Sequence, residues 1–170
     1  MYLSKIADAA VTQLSIPPET SITAFFTIVI LLSPVSRYVY AVVSAFIDDG
    51  IEIVDITDPT NPTSVGEVAD GGDILLDSPL GIDIFTIGSS TYAVVVAQAD
   101  NAMVIIDITT PSDPTVVSTT IDTDTTLLDK PINVDTISLP TDISSNEPNS
   151  VYAVVTPVED GIQILQALFP

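Results

Sequence analysis

The chain has 170 residues, with 23 acidic side chains against three basic ones (Lys5, Arg37 and Lys130), and it contains no His and no Cys. A net charge of −20 repels nucleic-acid phosphate and anionic membrane surfaces, and favours cations or basic partners. The missing His and Cys exclude a His-based triad, a Cys nucleophile and the usual zinc sites, while three basic residues leave little from which to build an oxyanion or phosphate clamp.

Hydrophobic residues make up 46% of the chain and charged residues 15%, so this is a folding chain and not a disordered acidic tail. In chain order, "KIADAAVTQLSIP" (5–17) comes first. It aligns with "EVADGGDILLDSP" (67–79), setting Ala7-Asp8 on Ala69-Asp70 and Pro17 on Pro79. That match predicts a strand at 3–14, against the helix that its good helix formers would also allow. "AFFTIVILL" (24–32) is about half the length of a bilayer-spanning helix and lacks the basic flank of a secretory signal. Its Phe, Thr, Ile and Val predict a buried strand, with no insertion into a membrane.

Then the chain repeats itself. "YAVV" stands at 40–43, 92–95 and 152–155, each time followed by an acidic or amide turn and an apolar strand: "IEIVDIT", "MVIIDIT" and "IQILQAL". "LLDSPLGIDIF" (75–85) lies over "LLDKPINVDTI" (127–137) at the same spacing of 52. The central unit reads as four strands, 80–87, 91–98, 103–109 and 115–121, joined by "GSS", "ADNA" and "TPSDP" turns. Prolines at both ends of the last turn stop the third strand. Asp55 and Asp107, just before those turns, are placed to accept hydrogen bonds from turn amides as Asx residues do.

Four antiparallel strands per unit of this length is the blade of a β-propeller. "IEIVDITDPTNP" (51–62) and "VIIDITTPSDP" (104–114), each after a "YAVV" strand and a short turn, resemble the LVIVD repeat. The resemblance implies propeller blades, in bacterial and archaeal proteins that are often exported or surface-attached, and it implies no enzymatic activity. The third copy departs from the pattern, because Gln166 replaces the Asp and no proline turn follows.

The fold class expected is therefore all-β and β-propeller-like, a single domain over 1–170 with about three four-stranded antiparallel blades at 21–69, 80–121 and 132–167. The last blade lacks its fourth strand, which the N-terminal strand supplies, either its own or that of a neighbouring subunit. Three blades do not close a ring with ordinary twist, and open sheet edges template further pairing. Two chains forming one six-bladed ring, a head-to-tail fibre, and a piece of a larger protein all fit. Ile6, Val11 and Leu14 on one side and Ile162, Ile164 and Leu165 on the other are the expected interface residues.

Two acidic loops are candidate Ca²⁺ sites: Asp122, Asp124 and Asp129 in "DTDTTLLD", and Asp70, Asp73 and Asp77 in "DGGDILLD". Hard oxygen ligands suit Ca²⁺, but neither loop has the Gly and closing Glu of an EF-hand, and solvated inter-blade turns explain them as well. The hairpin acids Asp48, Asp49 and Asp100 form a further set that turn propensity alone also explains. The function expected is a non-enzymatic extracellular or cell-surface structural protein that self-assembles by strand exchange. Its alternative is a propeller binding module for a cation, glycan or protein partner. The outside location rests on scarce Lys and a polar complement rich in Thr and Ser.

Overall fold

The computed structural model describes residues 28–32, 38–139, 150–158 and 161–166. They form eleven strands and, among the described residues, no helix. β1 (Ile28–Leu32), β2 (Val39–Ala45), β3 (Gly50–Asp55) and β4 (Thr63–Ala69) make one antiparallel meander. β5 (Pro79–Ile87), β6 (Ser90–Ala97), β7 (Ala102–Asp107) and β8 (Thr115–Ile121) make the second. β9 (Pro131–Leu139), β10 (Ser150–Pro157) and β11 (Gln163–Gln166) make a third sheet of three strands, in the order β11-β10-β9. The expected four-strand unit is thus observed twice, and among the described residues the third unit has three strands. The strand expected at 3–14 lies outside the described residues.

The sheets stack as blades and do not close on themselves; they meet chiefly through their first strands, β5 against β9 on one side and against β1 and β2 on the other. Apolar runs, not alternating patterns, mark strands covered on both faces. Val94, Val95, Val96, Val104 and Ile106 are fully buried. Alternate residues point to opposite sides, so β6 and β7 feed two cores. Ala93, Val95, Val104 and Ile106 pack with Val42, Ile51 and Ile53 of the first sheet. Val94, Val96, Met103 and Ile105 pack with Val134, Val151, Ala153 and Val155 of the third.

The repeat extends to irregularities. β3 and β4 shift register between Ile53 and Val54, and β7 and β8 do so between Ile105 and Ile106, at the same place in the unit. Non-glycine residues take the left-handed backbone conformation at Asp49 and Asn101 (φ 51° in both), and again at Ser78 and Lys130 (φ 56° and 48°). Such a backbone is uncommon outside Gly, and Asn and Asp tolerate it best. Close approach of the blades shows at Gly81. A Cβ there would lie 2.6 Å from the Asn133 Cα, so only Gly lets β5 come this near to β9.

Candidate functional site

The segments joining one blade to the next carry most of the polar side-chain chemistry. After β4, the Asp70 N–H donates to the Asp49 carbonyl (2.7 Å), and Asp70 Oδ1 accepts from the Leu76 N–H (2.8 Å). After β8, the Asp122 N–H donates to the Asn101 carbonyl (2.9 Å), and Asp122 Oδ1 accepts from the Leu128 N–H (2.8 Å). Each acid closes a small loop, Gly71–Ile74 or Thr123–Thr126, and presents a leucine to the space between blades. Leu76 and Leu128 are both 0% exposed, one in each inter-blade core.

A second bond ties each loop to the preceding hairpin. Asp49 Oδ1 accepts from the Ser78 N–H at 3.0 Å, and Asn101 Oδ1 accepts from the Lys130 N–H at 2.9 Å. All four residues are the left-handed ones. The strained backbone therefore sits where hairpin and loop are clipped together, and the clip recurs in both inter-blade joints. Asp77 and Asp100 reinforce the first joint, where the Asp77 N–H donates to Asp100 Oδ2 at 2.8 Å.

Of the expected cation ligands, Asp70 and Asp122 thus spend a carboxylate oxygen on a buried leucine amide, and Asp77 Oδ1 accepts from the Ser78 hydroxyl at 2.8 Å. Among the described residues no three acids come together in a way that could hold a metal ion. Asp73, Asp124 and Asp129 are not gathered with them, and of the hairpin acids Asp48, Asp49 and Asp100, the last two serve the clips. Residue type did not distinguish these tasks. The recurrence of Asp49/Asn101 and Leu76/Leu128 at a spacing of 52 is the signal that identifies them as joints.

The strand-end acids behave as expected. Asp55 Oδ1 accepts from the Thr57 N–H and Asp107 Oδ1 from the Thr109 N–H, both at 2.8 Å. The threonine hydroxyls in turn accept from the amides that open β2 and β6, Val39 N–H at 2.9 Å and Thr91 N–H at 3.0 Å. Tyr40 pairs with Asp55 across the sheet. Burial, then the Asp55 charge and Tyr38, push its phenol above the ordinary value. In the following turn, hydrogen bonds from the Thr60 hydroxyl and amide hold the Asp58 carboxyl below its usual range.

Two segments, 38–70 and 89–122, match the LVIVD repeat. The chain thus carries two LVIVD repeats. The matched segments hold β2–β4 and β6–β8, the parts of each blade outside its first strand. No curated protein matches the chain. The LVIVD motif strand itself is β3 or β7, whose closing acid caps a proline-stopped turn.

The third sheet differs from the other two in what it leaves uncovered. Of the expected interface residues, Ile6, Val11 and Leu14 lie outside the described residues. Leu165 packs against the second core, whereas Ile162 and Ile164 are 66% and 61% exposed. Ile164 stands opposite Val154 on β10 just as Ile105 stands opposite Val94 on β6. Ile105 is 2% exposed. Identical residues in identical register are buried in one blade and bare in the next. Among the described residues, the third sheet therefore leaves these two isoleucines exposed and pairs β11 with β10 alone.

Proposed function

We propose that this LVIVD-repeat protein is a non-enzymatic structural subunit, at the cell surface or outside the cell, that assembles by completing its third sheet with a strand from another copy. One observation carries the reading. Among the described residues two sheets have four strands and the third has three, with β11 at its edge and Ile162 and Ile164 exposed there. β4 and β8 occupy the missing position in the complete sheets, each paired along the LVIVD strand. A strand added beside β11 would gain several backbone hydrogen bonds of about 0.5–1.5 kcal/mol each and cover apolar surface.

The segment "KIADAAVTQLSIP" (5–17), whose residues 5–7 align with the end of β4 and 8–17 with the loop after it, supports an N-terminal strand that ends near Ala7 as the donor, with Ile6 among its apolar positions. The lack of His and Cys and the three basic residues support a role without catalysis. Scarce Lys and a Thr/Ser-rich polar surface support the outside location. Electron microscopy of the purified protein tests the reading: rings or fibres are expected, and these should disappear on deleting residues 1–14. Dispersed single chains before the deletion would contradict it.

A further inference from the structure

Resting on that reading of the third sheet, we propose that residues 1–17 bring a third inter-blade joint together with the strand, and that Leu14 of this joint covers the bare isoleucines of the third sheet. The two observed joints share a spacing. Acid, leucine and proline stand at Asp70, Leu76 and Pro79 in one and at Asp122, Leu128 and Pro131 in the other. The same spacing recurs at Asp8, Leu14 and Pro17, and nowhere else in the chain. Each of the three positions has a task in the observed joints. The acid directly follows a fourth strand, since β4 ends at Ala69 and β8 at Ile121. Its carboxylate takes the leucine amide, and the proline opens the next first strand, β5 or β9.

Register then fixes what the strand before Asp8 meets. In the first sheet Val68 stands opposite Ile51 and Gly66 opposite Ile53; in the second, Thr120 stands opposite Met103 and Ser118 opposite Ile105. Val154 stands opposite Ile164 as Val94 stands opposite Ile105, so Ile162 and Ile164 hold the places of Met103 and Ile105. A strand ending at Ala7 in the register of β4 and β8 therefore sets Ile6 opposite Ile162 and Ser4 opposite Ile164.

The two observed leucines show where the third belongs. Leu76 lies in one core with Ile51, Ile53 and Val68 of the preceding sheet, and Leu128 in one core with Val94, Met103 and Ile105 of the preceding sheet. Neither leucine has exposed surface. Phe85, Val94, Met103 and Ile105, on the side of the second sheet that shares a core with Leu128, are at most 5% exposed. Ile137 stands opposite Tyr152 as Phe85 stands opposite Tyr92. Ile137, Ile164 and Ile162 are nevertheless 49%, 61% and 66% exposed. The third sheet is thus the one with no described joint leucine on this side, and Leu14 is the leucine of the series still to be seated. Asp8, by accepting from the Leu14 N–H, keeps an unpaired amide out of the apolar contact.

The chain has no Cys, so paired cysteines in the full chain report the contact without background. Ile6→Cys combined with Ile162→Cys should form a disulfide on mild oxidation, because directly opposed cross-strand residues lie within disulfide reach. Lys5→Cys combined with Ile162→Cys should not, because adjacent residues of a strand point to opposite faces. Leu14→Ala should lower the melting temperature about as much as Leu128→Ala, whereas Gln13→Ala should change it by under about 2 °C. The 6–162 disulfide joining two chains on non-reducing electrophoresis supports the joint and donation by another copy together. The same disulfide closed within one chain keeps the joint and overturns donation by another copy. Cross-linking at 6–162 no greater than in the Lys5 control, or Leu14→Ala melting like wild type, would overturn the joint. If oligomers were still lost on deleting residues 1–14 in that case, strand donation would stand without it.

Discussion

Asp122→Ala and Asp122→Asn separate a structural joint from a cation ligand. Asp122 Oδ1 accepts from the N–H of Leu128, a residue with no exposed surface. Alanine orphans that amide in a buried setting, which costs about 1–3 kcal/mol. Asparagine keeps an oxygen of the same reach. It gives up the charged acceptor for a neutral one, a loss of about 1 kcal/mol, since charge-assisted bonds are worth roughly twice neutral ones. In a chain of this size 1 kcal/mol moves Tm by about 2–4 °C. The alanine variant should therefore melt about 2–12 °C below wild type by circular dichroism, and the asparagine variant should fall about midway. Added Ca²⁺ should shift neither one relative to wild type. Equal losses in both variants, with a Ca²⁺-dependent rise in Tm confined to wild type, would refute the joint and support the cation reading.

Other substitutions probe the same frame. Leu128→Ala should cost about 2–5 kcal/mol in urea unfolding, whereas Leu127→Ala, at a side chain 41% exposed, should cost under about 0.5 kcal/mol. Gly81→Ala drives a Cβ into the Asn133 backbone and should destabilise by about 1–3 kcal/mol, read as a lower Tm. The Asp58 carboxyl is held low by Thr60, so its contribution is present above the ordinary value near 4 and fades as pH falls through the lower folded value. The Tm gap between wild type and Asp58→Ala should accordingly narrow on acidification below about pH 4; a gap that widens there would contradict the assignment. Tyr40 titrates above its usual value, so its contribution should persist below about pH 10 and be lost as pH rises through the folded value. Tyr40→Phe should remove that alkaline loss.

Much of the fold was legible because it rests on local rules repeated in register. The unbroken apolar runs at 92–97 and 103–106, proline-stopped turns and the closing aspartates place the strands of the central blade to within a residue or two. The capping roles of Asp55 and Asp107 were legible for the same reason, because an Asx acceptor acts on amides two residues away. The joints were not. Asp70 and Asp122 look like ligands in one dimension, and only folding decides whether a carboxylate meets a cation or a leucine amide. Nor could the bare face be read from residue type, since Ile164 and Ile105 have the same chemistry and register and differ only in whether another blade lies against them.

Hydrogen exchange along β11 is the most direct test of whether the third sheet is completed in the assembled protein. The amides of residues 163–166 bond to β10 on one side only among the described residues, so an uncompleted edge exchanges quickly on its other side. Protection at 163–166 approaching that of the LVIVD strand at 102–107, and lost on deleting residues 1–14, is the predicted result. Rapid exchange there in the assembled protein, unchanged by the deletion, would contradict completion of the sheet by a strand from another copy.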